Sequence, residues 1–210
     1  MLTPLHLASR NNHIGAVRLL LSNDAAVDGV DNDGKTPLYE ALIKDHQDVS
    51  ILLIEHGADV NTKIHIYEDQ YSILFTVVGM NGSLNPNDND PERCCIKQVK
   101  ILELCLKRGA NVNSVNKVYV TPLHWAVLSN CPMNVSTLIK HGANVNAYNE
   151  FRHTPLYYTI WNRYIEMAKI LLEHGAKVNA LDCDKCTPLD HAKYDQYEDM
   201  IQLLMAYIDN

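Results

Sequence analysis

The tripeptide Thr-Pro-Leu returns along the chain at a nearly constant interval, and this recurrence restricts the possible folds more than any other feature. The five intact copies begin at Thr3, Thr36, Thr121, Thr154 and Thr187, and a degraded copy is Ser72-Ile73-Leu74. Successive copies are 33, 36, 49, 33 and 33 residues apart. The dipeptide Gly-Ala follows its Thr by 21 residues at Gly57, Gly142 and Gly175, whereas Gly109 lies 37 residues after Ser72. Since two independent motifs share one period, the sequence predicts six stacked structural repeats.

Within one repeat, local signals predict two short helices and an extended tail. Thr154 is expected to cap the first helix with its hydroxyl, and Pro155 suits the first helical position, where no N–H is needed. Gly175 supplies the left-handed residue that ends the second helix. One such unit has too little apolar surface to fold alone, so each repeat needs its neighbours.

A period of 33 residues with the pattern Thr-Pro-Leu-His-x-Ala, as at 121–126, resembles the ankyrin-repeat family along the whole chain. The resemblance implies an all-α solenoid of helix-turn-helix units with β-hairpin or loop fingers, organised as a single domain. The repeats are expected at about 1–30, 31–63, 64–115, 116–148, 149–181 and 182–210. The first repeat begins directly at its helix, which favours a cut from a longer array. The polar sixth repeat is typical of a terminal cap.

The third repeat departs from the period. A hairpin is expected at 64–69, and the second helix is readable at 96–106 from its apolar spacing. The surplus residues then fall at 79–93, a stretch rich in Gly, Asn and Pro that predicts a projecting loop. Such a loop is either tolerated drift, because longer loops cost little entropy, or a specific contact arm.

Composition limits the partners and the compartment. The net charge of −7 disfavours nucleic acid and anionic membrane surfaces as ligands. There is no apolar run long enough to span a bilayer and no signal peptide. Six cysteines without a secretory signal indicate reduced thiols. We therefore expect a cytoplasmic or nuclear protein, in the host cell if the chain comes from a virus or an intracellular bacterium.

No residue pattern nominates an active site. Cys183 and Cys186 have the spacing of a zinc half-site or a redox pair, but a structural zinc needs four converging ligands and Cys94-Cys95 lies about three repeats away. Catalytic motifs and phosphate-binding loops are absent from the sequence. We therefore expect no enzyme activity, no metal and no cofactor. Four histidines on family positions are expected to bond backbone between repeats: His6, His13, His46 and His124.

The family resemblance implies a concave groove, lined by first helices and hairpin tips, that binds another protein. Four aromatic residues are expected to gather on its inner side as anchors: Tyr119, Tyr148, Phe151 and Trp161. Polar groove positions complete the predicted partner-binding set: Asp33, Lys44, Lys117, Glu150 and Asn162. For the aromatics the alternative is that they brace adjacent repeats.

The expected function is thus a non-catalytic protein–protein interaction module, acting as a monomer. Within the family such modules serve as adaptors or substrate-recognition arms, or as inhibitors. The high content of Asn, Ile and Tyr in the sequence favours a viral or intracellular-bacterial branch of the family. Two alternatives stay open at this point: a targeting or metal-binding domain attached to an enzyme, and a passive structural spacer.

Overall fold

The computed structural model describes residues 1–66, 69–80 and 91–208, and this part of the chain is mostly helical. Twelve helices lie within it: α1 Pro4–Arg10, α2 Ile14–Ser22, α3 Pro37–Ile43, α4 Gln47–Glu55, α5 Ile73–Phe75, α6 Pro91–Lys107, α7 Pro122–Leu128, α8 Pro132–Lys140, α9 Pro155–Trp161, α10 Ile165–Glu173, α11 Pro188–Tyr194 and α12 Glu198–Ile208. Two short strands, β1 Lys63–Ile66 and β2 Asp69–Ser72, form the described sheet. The predicted repeat fold of paired helices is confirmed.

The first helix of most repeats starts at its Thr-Pro pair. Thr3, Thr36, Thr121 and Thr187 adopt extended backbone angles and accept a hydrogen bond from the N–H three residues on. The proline that follows occupies the first helical turn, where its missing N–H costs nothing. The tripeptide that defines the period is therefore a helix start.

Thr154 differs from the other four, and the predicted cap is wrong there. Its side chain caps no backbone N–H, and its hydroxyl is buried without a hydrogen-bond partner. In repeats one and four the third helical residue is a histidine whose Nδ1 returns to the threonine hydroxyl, at 2.7 and 2.9 Å. Tyr157 takes that position here; its N–H donates to the Thr154 carbonyl at 3.1 Å, and its hydroxyl lies 2.7 Å from the Ala180 carbonyl and 2.8 Å from the Cys186 carbonyl. Residue type alone does not explain the lost cap, because Tyr39 takes the same position in repeat two and Thr36 still caps its helix.

Second helices end at glycine with positive φ, as predicted for Gly175. The φ angles are 89° at Gly57, 87° at Gly109, 88° at Gly142 and 84° at Gly175. In the first repeat Asp24 takes this position with φ 57°. Asp enters the left-handed region at modest cost, which keeps the helix end intact.

The described chain forms two compact units, 1–111 and 112–210. In the first, α1 packs on α2 and α3, α3 packs on α4, and α4 packs on α6. In the second, α9 packs on α7, α10 and α11, while α12 packs on α10 and α11. Leucines dominate both cores, and burying each contributes about 1.5 to 3 kcal/mol. Fully buried examples are Leu38, Leu53, Leu102, Leu123, Leu138 and Leu171.

The third repeat contains the predicted hairpin. β1 and β2 pair antiparallel, with Lys63 opposite Ser72 and Ile66 opposite Asp69. A π-helical turn, Thr76–Met80, follows α5, and α6 begins at Pro91 rather than near residue 96. Both ends of the predicted loop 79–93 are therefore helical, and the prediction is wrong there: residues 79–80 belong to the π-helical turn, and residues 91–93 belong to α6, since proline is favoured at a first helical position. Residues 81–90, the rest of that loop, lie outside the described residues.

Candidate functional site

Three of the four histidines expected on repeat-family positions bond backbone of a neighbouring repeat, as predicted, whereas the side chain of the fourth, His13, makes no cap bond at the start of α2. The Nε2 atoms of His6, His46 and His124 donate to the carbonyls of Lys35 at 2.8 Å, Arg10 at 3.0 Å and His153 at 3.1 Å. The Nδ1 atoms of His6 and His124 accept from the N–H of Thr3 and Thr121. His6 and His124 are fully committed to holding repeats together.

His124 illustrates why such a histidine does no acid–base chemistry. Burial lowers its pKa to about 4, although the hydrogen bond to the His153 carbonyl favours the charged form. Its Nδ1 accepts the Thr121 N–H at 3.1 Å, so a second ring proton would have to displace that bond. The ring is therefore neutral near pH 7.

Backbone hydrogen bonds tie the hairpins of the second unit together. The N–H of Glu150 donates to the carbonyl of Val118 at 3.0 Å. One repeat further on, the N–H of Cys183 donates to the carbonyl of Phe151 at 3.1 Å. Since the main chain supplies these links between hairpins, the side chains of Glu150 and Phe151 are left on the surface.

An asparagine ladder adds a second set of links that the sequence analysis missed. Asn146 Nδ2 donates to the carbonyl of Gly175 at 2.9 Å, and its Oδ1 accepts the N–H of Lys177 at 2.7 Å. Asn113 makes the same pair of bonds to Gly142 and Asn144 one repeat earlier. The Val-Asn dipeptides, which follow Gly-Ala at constant spacing, were the available signal.

An aromatic and histidine cluster, here called the repeat-five cluster, lies across repeats five and six. Its members are Phe151, His153, Tyr157, Trp161 and His191. The His153 ring centroid lies 4.7 Å from that of Trp161 and 5.8 Å from that of Phe151. Trp161 also contacts His191 of the next repeat, at 5.8 Å. Phe151 remains 52% exposed and Trp161 40% exposed, so the cluster presents aromatic surface to solvent.

A buried carboxylate lies at the base of this cluster. The side chain of Asp182 is 1% exposed, and its Oδ2 lies 2.7 Å from His191 Nε2 and 3.9 Å from His153 Nε2. Its Oδ1 accepts the N–H groups of Asp184 and Cys186, both at 2.9 Å. Burial raises the pKa of Asp182, but the bonds from His191 and these N–H groups outweigh it and hold the pKa below its ordinary value. The carboxylate is charged and oriented.

The structure brings two of the four predicted aromatic anchors together. Phe151 and Trp161 meet around His153, whereas Tyr148 lies under the guanidinium of Arg152, 5.2 Å from its ring centroid. Tyr119 lies at the turn of its hairpin with a left-handed φ of 59° and is well exposed. Tyr119 and Tyr148 are thus hairpin-tip residues outside the repeat-five cluster.

The predicted polar residues are all exposed and are spread along the chain. Asp33 pairs with the Nζ of Lys35 at 3.2 Å, and Lys44 follows the last residue of α3, both in the first unit. Lys117 and Glu150 lie on hairpins of the second unit. Asn162 caps α9 next to Trp161 and bonds the carbonyl of Tyr158 at 2.8 Å.

Sequence reasoning missed His153, Asp182 and His191 as partners of the predicted aromatics. His153 lies immediately before a Thr-Pro-Leu copy, and His191, 38 residues later, lies two residues after the end of the next copy. Their meeting depends on how one repeat stacks on the next, which the period alone does not specify.

Among the described helices, not one combines the length and the apolar character that crossing a bilayer requires.

Comparison with known proteins agrees with this architecture. The model of ankyrin repeats in three copies matches residues 1–64, 93–182 and 149–210. An ankyrin repeat domain from Acinetobacter baumannii AYE superimposes with a TM-score of 0.82 at 32% identity, covering 97% of each chain. The dog protein Inversin is 31% identical over 152 residues, which are 64% of this chain and 14% of Inversin.

A third relative is bacterial. A putative ankyrin repeat protein of Rickettsia bellii is 29% identical over 144 residues, 65% of this chain and 59% of that protein. The chain thus spans only part of the length of these sequence relatives. The family model covers well over half of the residues, and the periodic helix starts, glycine helix ends and histidine bridges are those of its repeat. This chain belongs to the ankyrin-repeat family.

Proposed function

We propose that this chain is a non-catalytic module that binds another protein through the first helices and hairpins of its second unit. Ankyrin repeats are in general protein–protein interaction modules. The observation that carries the proposal for this chain is the repeat-five cluster. Two large aromatics, Phe151 and Trp161, remain partly exposed although each packs on the same imidazole.

The contacts of Phe151 favour anchoring over bracing. The link between the hairpins of repeats five and six is the backbone bond from Cys183 to Phe151, which needs no particular side chain at residue 151. Packing on His153 restricts the rotamers of Phe151 and Trp161 before any partner arrives. Preorganised aromatic side chains lose little entropy on binding and dominate interface hot spots.

The finer role is that of an adaptor, a substrate-recognition arm or an inhibitor. These differ in what happens to the partner's own activity: an adaptor leaves it free, whereas an inhibitor covers it. We further propose that the module is a monomer that works in the cytoplasm or nucleus. The free thiols of Cys105, Cys131, Cys183 and Cys186 support a reducing compartment.

A double variant, Phe151→Ala with Trp161→Ala, tests the proposed surface. Proximity labelling in cells with the intact chain nominates partners, and calorimetry with each purified partner measures the affinity of both forms. Losing two anchors is expected to weaken the binding of a genuine partner at least about tenfold. Assaying the partner's activity with the chain bound then separates inhibitor from adaptor.

The matched control is Tyr207→Ala. Tyr207 is a partly exposed aromatic of α12, a second helix of the same unit. Thermal unfolding must show that both variants are folded at the assay temperature. Equal affinity of the double variant and the intact chain, or a loss seen only in Tyr207→Ala, would place binding on another face.

A further inference from the structure

The base of the repeat-five cluster gathers metal-ligating atoms from three separate places in the chain. Asp182 and Cys186 lie on the hairpin of repeat six, and His191 lies on α11. One ligand atom from each of these three lies within 4.8 Å of the other two. His153 comes from the hairpin of repeat five, and its Nε2 faces the same carboxylate oxygen as His191.

The carboxylate is held so that one oxygen serves the hairpin and the other serves the imidazoles. Oδ1 of Asp182 accepts two backbone N–H groups, while Oδ2 lies 2.7 Å from His191 and 3.9 Å from His153. The hydroxyl of Tyr157 fixes the hairpin further, because it shares its proton between the carbonyls of Ala180 at 2.7 Å and Cys186 at 2.8 Å. Groups that orient a ligand in this way are typical of the outer shell of metal sites.

The two distances from Asp182 Oδ2 to the imidazoles bracket the separation that a tetrahedral ion needs. Ligand atoms about 2.0 to 2.3 Å from zinc lie roughly 3.4 Å from one another. The His191 to Asp182 distance of 2.7 Å is somewhat shorter and the His153 to Asp182 distance of 3.9 Å somewhat longer. Rotation of exposed or half-buried side chains about χ1 and χ2 makes up differences of this size without moving the hairpin.

We propose that this chain binds one Zn²⁺ ion through four ligands, Asp182 Oδ2, Cys186 Sγ, His153 Nε2 and His191 Nε2. Two imidazoles, a thiolate and a carboxylate form a borderline-soft set that suits zinc, whereas Ca²⁺ and Mg²⁺ take oxygen ligands. The two anionic ligands balance the charge of the ion. On binding, the Cys186 S–H bond breaks, its electron pair forms the Zn–S bond, and the proton leaves to solvent. The proton that His191 Nε2 donates to Asp182 is replaced by one on Nδ1, so that the Nε2 lone pair faces the ion.

This arrangement differs from the C-x-x-C half-site suggested by the spacing of Cys183 and Cys186. Cys183 is exposed, and its thiol is not part of the ligand group. The proposed zinc site uses one cysteine of the pair, and its other ligands come together through the stacking of two repeats. Zinc here would join the hairpin of repeat five to repeat six and stiffen the support beneath Phe151 and Trp161.

The test is titration of the whole reduced, chelator-treated chain with Co²⁺ and then Zn²⁺. We expect one Co²⁺ per chain, with the d–d bands of a tetrahedral ion and a thiolate charge-transfer band that Zn²⁺ abolishes. Cys186→Ser should remove the charge-transfer band and weaken Zn²⁺ binding at least about tenfold, the smallest effect expected for losing a direct ligand. Cys183→Ser is the matched control and should leave both unchanged.

Histidine variants complete the assignment. His153→Gln and His191→Gln should each weaken Zn²⁺ binding while leaving the fold intact by circular dichroism. Zn²⁺ should raise the unfolding midpoint of the intact chain and of Cys183→Ser equally, and that of Cys186→Ser by less. The proposal is overturned if no thiolate band forms, if the band persists in Cys186→Ser, or if Cys183→Ser loses it with half an ion per chain.

Discussion

The imidazole of His124 donates a hydrogen bond from Nε2 to the carbonyl oxygen of His153, 3.1 Å away in the next repeat. The same ring accepts the Thr121 N–H at Nδ1, and burial lowers its pKa to about 4 from its ordinary value of 6.5. The unfolded chain therefore binds a proton to His124 at a higher pH than the folded chain does. The bridge between repeats four and five is thus sensitive to acid.

Stability should fall as the solution is acidified because of this residue. The His124 contribution is complete above the unfolded pKa near 6.5 and is lost as pH falls toward the folded pKa near 4. The difference between the two pKa values corresponds to roughly 3 kcal/mol. Urea unfolding at a series of pH values gives the free energy of unfolding of the intact chain and of His124→Gln. The difference between the slopes of these two free energies against pH is the His124 contribution.

The His124→Gln substitution is also expected to lower the free energy of unfolding at neutral pH by about 1 to 3 kcal/mol, because the His153 carbonyl loses the imidazole donor. The test is the pH dependence of the free energy of unfolding after this constant difference between the two proteins is subtracted. If the free energies of unfolding of the two proteins change equally with pH between about pH 6.5 and about pH 4, His124 binds its proton as readily in the folded state as in the unfolded state, which contradicts the prediction.

Thr154→Val should leave stability unchanged or raise it by about 1 kcal/mol. The Thr154 hydroxyl is buried with no hydrogen-bond partner, so a methyl group of similar shape removes a desolvation cost. The matched substitution Thr121→Val deletes a cap that accepts the His124 N–H and should cost about 1 kcal/mol. Chemical unfolding of both variants decides the matter, and equal losses would mean that Thr154 does cap α9.

The contrast between Thr121 and Thr154 shows how far the sequence could be read. Helix starts, glycine helix ends and the three histidine bridges followed from motifs whose partners lie at fixed distances along the chain. Thr154 was misassigned because the N–H of Tyr157 donates to the Thr154 carbonyl rather than to its hydroxyl, whereas Thr36 caps the N–H of a tyrosine at the same position of repeat two. The motif does not encode this difference, since the threonine, the proline and the tyrosine are the same in both repeats.

The candidate site shows the same division. Phe151 and Trp161 were identified from residue type and repeat phase, but the imidazole between them was not. His153 reaches Asp182 and His191 only because two hairpins stack with the backbone bond from Cys183 to Phe151 in register. The early start of α6 was likewise hidden, since Pro91 precedes the apolar pattern that marks the rest of that helix.

Asn146→Ala should destabilise the chain by about 2 kcal/mol. The side chain makes one bond to the Gly175 carbonyl and one from the Lys177 N–H, and each such bond contributes about 1 kcal/mol. Asn162→Ala is the comparison, since Asn162 bonds only one turn back to Tyr158 and should cost less than about 1 kcal/mol. The free energies of unfolding in urea test both values. Similar losses in the two variants would show that the asparagine bonds between repeats stabilise the chain no more than a local bond does.

Tyr119→Asn should stabilise the chain by about 0.5 to 1 kcal/mol. The position two residues before the Thr-Pro pair has left-handed φ in four repeats, 74° at Gly34, 59° at Tyr119, 60° at Arg152 and 62° at Lys185. A tyrosine there carries a backbone strain of about 1 kcal/mol that asparagine tolerates better, and its exposed ring loses little packing. Lys185→Asn should give a similar gain in thermal and urea unfolding, whereas Glu150→Asn, a hairpin position without positive φ, should give none. If Tyr119→Asn is instead destabilising, the ring makes a packing contribution larger than the strain. If it is stabilising yet weakens a partner selected by the intact chain, the strain is the cost of presenting an aromatic side chain at the hairpin tip.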